Sequence, residues 1–168
     1  SAATGLEPAE YARHFDTVSA CFSKGLGCPV GSIVCGDTET IENVHRGRKM
    51  LGGGMRQSGM LAAAALYALD HHRHRLSDDH THARLLAETL ADCDAAEIDP
   101  CSVETNIVYF DVHGDASAIA ARLEESGVRC LSTGPNTIRC VTSLAVDRSG
   151  IDEACAIFRR VLGAEGTW

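Results

Sequence analysis

The sequence predicts an α/β protein built in two parts. Two apolar runs, at 18–22 and 30–35, flank a loop rich in glycine, serine and proline, which is typical of strands joined by a tight turn. Their near-continuous apolar character favours strands covered on both faces, as in a mixed or parallel sheet. Near Asp94 the pattern changes to strand, helix, strand, strand, helix. We therefore expect residues 1–93 to be the end of a larger α/β domain and residues 94–168 to form a small α+β domain.

The composition is that of an ordinary globular protein and argues against several kinds of partner. The 168 residues are 45% hydrophobic and 23% charged, and the net charge of −8 argues against nucleic acid or an anionic membrane as partner. The sequence holds no uninterrupted apolar stretch of the ~20 residues that a membrane span requires. The eight cysteines include no CxxC pair, so neither a zinc site nor a redox motif is predicted. Buried, reduced thiols in a cytoplasmic protein are the simplest explanation.

Helices dominate the first part after the two strands. A short helix is expected at 7–14, where a proline and acidic residues come first and basic residues last. Asp37 or Thr38 can cap a second helix, which the triple glycine 52–54 interrupts. Three glycines together indicate either a helix break or a backbone that another group approaches closely. Further helices are expected at 55–72 and 78–92.

The second part alternates between short strands and helices. A strand is expected at 101–112, followed by a helix that Asp115 or Ser117 opens and Gly127 ends. The turn at 134–136 joins two more short strands. These strands are expected at 128–131 and 137–142, and a last helix at 149–162.

Lys24 lies in the loop between the first two strands and has only small residues beside it. A lysine in such a place is either a surface charge on a turn or an amine kept free to react, and composition alone favours the surface charge. A reactive lysine must lose its proton, which requires desolvation or a neighbouring cation to lower its pKa.

Three other cations and a group of histidines are candidate site residues. Arg139 alternates with two apolar neighbours in a strand, and its planar fork suits a carboxylate, either of a ligand or of a structural ion pair. Lys49 and Arg56 frame the triple glycine, where a helix start favours anions, although both can equally be helix-surface cations. The histidines are interpreted as a solvated helix end rather than a metal site. They are His71, His72, His74, His80 and His82.

Three blocks of this sequence resemble the low-specificity threonine aldolases, which are fold type I, aspartate-aminotransferase-like enzymes dependent on pyridoxal 5'-phosphate. The blocks are SKGLGCPVGS at 23–32, RKMLGGGMRQSG at 48–59 and TIRCVT at 137–142. They occur in the family's order, and the resemblance runs over essentially the whole chain. One departure is Ser143, which stands where the family often has histidine.

The resemblance implies aldol cleavage of threonine or a related β-hydroxy-α-amino acid to glycine and an aldehyde. It implies that Lys24 is the catalytic lysine that holds pyridoxal phosphate and that Arg139 binds the α-carboxylate of the amino-acid substrate. Lys49 and Arg56 would face the same site, Lys49 toward substrate and Arg56 toward a cofactor phosphate of this or a neighbouring subunit. Two alternatives stay open: another fold type I lyase that catalyses β-elimination, and an inactive fragment that serves assembly.

The resemblance also implies that the chain is the C-terminal half of a longer enzyme. It begins at Ser1 without methionine, and the family's cofactor-pairing aspartate, its ring-stacking histidines and its phosphate loop all lie upstream of that point. We therefore expect this chain by itself to be inactive. The family further implies a cytoplasmic homo-oligomer, a dimer or tetramer, with sites at the subunit interfaces.

Overall fold

The computed structural model describes residues 1–163, which divide into two compact units at Leu76 and Ser77. The first unit contains α1 (Pro8–Ala12), β1 (Thr17–Cys21), β2 (Ser32–Gly36), α2 (Thr38–Met50) and α3 (Gly59–His71). The second contains α4 (Leu76–Ala91), β3 (Ala96–Glu97), β4 (Ile107–Val112), α5 (Ala116–Glu125), β5 (Leu131–Ser132), β6 (Thr137–Val141) and α6 (Arg148–Leu162). The predicted α/β class is confirmed.

The two strands of the first unit form an antiparallel hairpin. Thr17 lies opposite Gly36, and Cys21 lies opposite Ser32. Ile33 and Val34 are 43% and 37% exposed, so the strands are not covered on both faces as the sequence analysis expected. The expected mixed or parallel sheet also differs, because all strand pairs within the described residues are antiparallel. An apolar strand stays exposed in this unit since each strand has only the other as its neighbour.

Helix α2 begins and ends on local signals that the sequence analysis identified. The Asp37 side chain accepts a hydrogen bond from the backbone N–H of Thr40 at 2.7 Å, which caps the first turn. At the other end, Gly52 has a φ of 80° and Gly53 donates its N–H to the carbonyl of Arg48 at 2.8 Å. This is the Schellman arrangement, which needs a left-handed residue and so favours glycine. The triple glycine is therefore a helix end.

Helix α3 begins four residues later than predicted, at Gly59 rather than Met55. The intervening residues form a turn in which Gln57 has a φ of 52°, a left-handed conformation that no helix start contains. Arg56 consequently precedes the helix by three residues. The prediction that Arg56 lies at a helix start is wrong, and the polarity of that helix does not explain its position.

The second unit has a four-stranded antiparallel sheet in the order β3-β4-β6-β5. The predicted succession of strand, helix, strand, strand and helix is confirmed by β4, α5, β5, β6 and α6. Strand β4 begins only at Ile107, because Pro100–Ser102 forms a 3₁₀ turn in which the Asp99 carboxylate accepts the N–H of Cys101 at 2.9 Å.

One face of this sheet carries the hydrophobic core. Val108 and Phe110 of β4 and Ile138 of β6 are buried against α4, α5 and α6, and the rings of Phe110 and Phe158 meet edge to face at 6.1 Å. Helix α4 belongs to this core through its apolar stripe, which is why the compact units divide at 76/77. The sequence-based division at 93/94 followed the change of pattern after α4, and as a domain boundary of the family it stays a prediction.

Candidate active site

The Lys24 loop is closed by its own backbone hydrogen bonds. Gly27 donates to the carbonyl of Lys24 at 2.8 Å, Cys28 donates to Phe22 at 3.0 Å, and Phe22 donates to Gly31 at 2.9 Å. Gly27 and Gly31 have φ values of 73° and 122°, which a side chain would strain. The glycines of the first sequence block therefore shape the loop that presents the lysine.

Helix α3 holds this loop in place. Cys28 is buried and packs with Ala65 and Ala68 of the helix, and Phe22 and Leu26 cover the same contact. The ring of His72, just after the helix, donates a hydrogen bond from Nδ1 to the carbonyl of Leu26 at 2.7 Å. From the sequence, His72 was predicted only to be one of a group of solvated histidines, because no local pattern indicates this positioning contact.

The Lys24 side chain is exposed in this loop. Within residues 1–163, no carboxylate pairs with its ammonium group and no hydrogen bond occupies it. The fold thus anchors the backbone on both sides of Lys24 while leaving the amine available to a ligand.

A positively charged groove lies elsewhere on the first unit, along α2 and the segment after it. Its volume is about 890 Å³, and Lys24 is not among its lining residues. The lining residues are Ile41, Glu42, His45, Arg46, Arg48, Lys49, Gly54, Met55 and Arg56. Four cations against one carboxylate make the groove a candidate anion site. The positions 42, 45, 46 and 49 lie at helical spacing, a signal that identifies Arg46 and His45, which the sequence analysis did not consider.

Lys49 and Arg56 therefore meet at one groove, with Gly54 between them. A Cβ atom at Gly54 would lie 3.1 Å from Cδ and 3.7 Å from Nζ of Lys49. The Lys49 chain thus lies directly over the glycine, and the close approach predicted for the triple glycine occurs at Gly53 and Gly54. Gly53 is approached in the same way by Arg48, whose Cγ would be 3.1 Å from its Cβ.

Arg139 lies in the second unit, on the sheet face opposite the core. Its strand neighbours Ile138 and Cys140 point into the core, so Arg139 points away from it, beside Tyr109 and Leu131 on the adjacent strands. The residue is half-buried, and its Nε is buried without a hydrogen-bond partner. Within the described residues it forms no ion pair, so the structural salt bridge that the sequence left open is absent there.

Two residues near Arg139 have structural functions. The Asn106 side chain donates to the carbonyl of Thr142 at 2.9 Å, which ties the start of β4 to the end of β6. The buried Thr142 hydroxyl donates to the carbonyl of Asp79 on α4 at 2.6 Å. These contacts fix the strand that carries Arg139 and connect residues too distant in sequence for a pattern to indicate.

Neither a cluster of metal ligands nor a membrane-spanning helix is found in residues 1–163. In residues 1–163, no three His, Cys, Asp or Glu side chains cluster as metal ligands would. Burial lowers the pKa of His80 below its usual value, with the nearby Asp79 carboxylate opposing the shift. No helix in the same range is long and apolar enough to cross a membrane.

Comparisons with known proteins support the family resemblance that the blocks at the lysine loop and the glycine turn indicate. Residues 1–113 match the family model described as beta-eliminating lyase. The chain belongs to the beta-eliminating lyase family. It is 36% identical over 167 residues to low-specificity L-threonine aldolase 1 of Arabidopsis thaliana, covering 96% of this chain and 46% of that protein. It is 39% identical over 160 residues to the low specificity L-threonine aldolase of Escherichia coli K12, covering 95% and 47%. The predicted resemblance to threonine aldolases is confirmed.

Solved structures agree at the level of fold. A candidate L-allo-threonine aldolase of Listeria monocytogenes superposes with a TM-score of 0.77 at 17% identity, covering 95% of this chain and 48% of that one. Serine palmitoyltransferase of Sphingomonas wittichii gives a TM-score of 0.67 at 16% identity, covering 90% and 41%. These identities show the fold alone. The chain spans about half the length of the curated threonine aldolases it matches.

Proposed function

We propose that this chain is part of a pyridoxal-phosphate-dependent lyase that cleaves threonine or a related β-hydroxy-α-amino acid to glycine and an aldehyde. The observation that carries the proposal is Lys24, an amine without a partner among residues 1–163, on a glycine loop anchored to α3 in a chain 36–39% identical to proteins named threonine aldolases. The family description, beta-eliminating lyase, supports the broader class of amino-acid lyases.

The residues present fit pyridoxal phosphate. Lys24 offers an exposed amine, and the glycines beside it leave room for a flat ring. The separate groove lined by Lys49 and Arg56, which does not include Lys24, supplies cations suited to a phosphate group of this or a neighbouring subunit. When bound, the cofactor acts as an electron sink for the bonds at the α-carbon of an amino acid.

Each of the four candidate residues has a different binding function in this proposal. Lys24 would hold the cofactor through its side-chain amine. Arg139 holds the substrate carboxylate through two parallel N–H donors, which fixes the orientation of the α-carbon. Lys49 adds positive charge for the substrate, and Arg56 contacts the cofactor phosphate of the same or a neighbouring subunit. These assignments rest on the family's pattern and on the exposure of each cation or its lack of an ion pair within residues 1–163.

Three further properties belong to the same proposal. We expect the 168-residue polypeptide by itself to be inactive, because the relatives named for the activity are about twice its length. We expect the active form to be a homo-oligomer, a dimer or tetramer, that also contains the N-terminal half. The free thiols of the chain fit a cytoplasmic enzyme.

The proposal is tested by trapping the cofactor on Lys24 in the complete natural protein. Borohydride reduction followed by peptide mapping is expected to place a pyridoxyl group on Lys24. Lys24→Ala should abolish the label, whereas Lys49→Ala, which removes a lysine of the groove, should retain a label on Lys24. A complete protein that takes no label at any lysine contradicts the enzyme proposal and favours an assembly module.

A second candidate function is β-elimination, which the family description favours. Product analysis separates the two. Glycine and acetaldehyde from threonine are expected from the aldolase, and pyruvate and ammonia from serine from the eliminating lyase. Formation of the second pair without the first would replace the aldolase proposal by the alternative.

A further inference from the structure

Two cysteines of the second unit lie opposite each other at the edge of the sheet. In the β5–β6 pairing, Ser132 lies opposite Ile138 and Leu131 lies opposite Arg139. The next position along this register sets Cys130, one residue before β5, opposite Cys140 in β6. The two residues are ten positions apart in sequence, so they do not have the CxxC spacing that would indicate a cysteine pair.

The hydrogen-bond pattern of the hairpin makes this a close pair. Thr133 donates its N–H to the carbonyl of Thr137 at 2.9 Å, as in a hydrogen-bonded pair. Since the two pair types alternate along antiparallel strands, the same register continued to Cys130 and Cys140 gives a non-hydrogen-bonded position, at which Cα atoms typically lie about 4.5 Å apart. That spacing lies within the roughly 4.4–6.8 Å that a disulfide spans.

The two thiols differ in exposure and in the effect that each has on the pKa of the other. The adjacent Cys140 thiol lowers the pKa of Cys130 below its usual value, whereas burial and the Glu124 carboxylate oppose this shift. The neighbouring Cys130 thiol, together with burial, raises the pKa of Cys140 well above its usual value. Cys130 is half-buried, whereas Cys140 is 5% exposed. Cys130 is therefore the thiol suited to react first, and Cys140 is placed to react with it afterwards.

The other close thiols of the core do not share these properties. Cys93 and Cys155 are 3% and 4% exposed, and burial raises the pKa of Cys93 above its usual value. A buried thiol of raised pKa is inert toward dissolved oxidants. Cys140 differs because it also lines a cavity of about 510 Å³, together with Val128 and Phe158.

We propose that Cys130 and Cys140 form a reversible cross-strand disulfide whose oxidant is a small disulfide such as oxidised glutathione. The Cys130 thiolate attacks one sulfur of the oxidant, whose S–S bond breaks and releases one thiol. Cys140 then loses its proton and attacks the Cys130 sulfur, which releases the second thiol. Two protein thiols are oxidised and one small disulfide is reduced to two thiols, so the electrons balance.

The test is disulfide mapping of the complete protein in mixtures of reduced and oxidised glutathione. Free thiols are blocked with N-ethylmaleimide after an acid quench, and peptides are analysed without reduction. We expect one cross-link, between Cys130 and Cys140, whose fraction rises with the proportion of oxidised glutathione. Cys101→Ser, at an exposed cysteine outside the pair, should leave the cross-link unchanged.

Two variants separate the steps. Cys140→Ala should accumulate a glutathione adduct on Cys130, and Cys130→Ser should lose both the adduct and the cross-link. Glutathione on the exposed Cys21, Cys35 and Cys101, with Cys130 and Cys140 both blocked by maleimide in the unaltered protein, would overturn the proposal. Because mapping of the unaltered protein decides this point, a variant that fails to fold leaves the test intact. The readout is thiol chemistry, so its outcome is independent of the proposed lyase activity.

Discussion

Lys24 and Arg139 present their charged groups in different surroundings. Lys24 is exposed on a closed loop, so its ammonium is solvated until a ligand arrives. Arg139 is half-buried and its Nε has no partner among residues 1–163. A buried donor without a partner costs about 1–3 kcal/mol, which an incoming carboxylate would recover. Of the four candidate residues, Arg139 therefore has the clearest structural reason to bind an anion.

Substituting Arg139→Lys tests this binding function. Lysine keeps the positive charge but loses the two-pronged geometry, so we expect the KM for the amino-acid substrate to rise by about tenfold, as for a lost charge-assisted hydrogen bond. Steady-state kinetics of the complete protein measure the effect. Arg129→Lys is the control, because Arg129 is exposed and its only described ion pair, to Glu124, is long at 3.9 Å. An unchanged KM in Arg139→Lys would show that another group binds the carboxylate.

At the scale of elements, two helices of this protein end in the same way. Gly52 after α2 and Gly127 after α5 have φ values of 80° and 104°. After α5, Gly127 donates to the carbonyl of Glu124 at 2.9 Å and Val128 donates to that of Leu123 at 2.8 Å. Both ends satisfy carbonyls that the helix itself leaves unpaired. The end of α2 at Gly52 determines where the chain leaves the helix and continues to Arg56.

Gly52→Ala should destabilise the protein through backbone strain alone. No atom of the described residues lies within 4 Å of the position where its Cβ would be, so only the left-handed φ penalises alanine, by about 1–2 kcal/mol. Gly47→Ala is the matched control, because Gly47 lies inside α2, also with open space around its Cβ position. There alanine should stabilise by up to about 1 kcal/mol. Denaturant unfolding of both variants checks the opposite signs, and a neutral Gly52→Ala would contradict the assigned turn.

The contact of His72 with the lysine loop predicts a local effect. His72→Ala removes the donor to the Leu26 carbonyl, so the amides of the loop at 22–31 should exchange with solvent faster. His72→Asn can place an N–H near the same carbonyl and should restore most of the protection. Hydrogen exchange followed by mass spectrometry measures both variants. Equal acceleration across all of α3 would indicate helix destabilisation instead of a loop contact.

At the scale of the whole molecule, the two compact units differ in how much core each one contains. The cluster of the second unit extends through α4, β4, α5, β6 and α6. The cluster described for the first unit consists of Cys28, Ala65 and Ala68, with Phe22 and Leu26 against it. Burial of apolar surface is the main source of folding stability. The second unit, which has the larger buried cluster, should therefore be the more stable of the two.

Separate expression of segments tests this difference and the position of the boundary. Residues 77–168 should unfold cooperatively by themselves, whereas 1–76 should not. Residues 94–168 lack α4, whose buried Leu86 and Leu90 close the core, and should be unstable. Circular dichroism melts compare the three segments. A cooperative 94–168 would restore the boundary that the sequence pattern suggested.

Much of the site could be predicted because its signals are local. The lysine loop, the capped start of α2 and the glycine end of that helix each depend on a few adjacent residues whose φ preferences or side-chain donors act within one turn. Arg56 was wrongly predicted to lie at a helix start, because the left-handed Gln57 forms a turn and α3 begins only after it. No residue type at these positions indicates that turn. His72 could not be assigned, since its partner at Leu26 lies 46 positions away.

The sequence by itself determined the family, the order of helices and strands, and the identity of Lys24 as the residue to test. Only the tertiary structure decided that Arg139 lacks an ion pair within the described residues, that α4 belongs to the second core, and that Cys130 faces Cys140. The physical reason is distance along the chain. Caps and turns are governed by neighbouring residues, whereas strand register and core membership depend on which distant side chains meet.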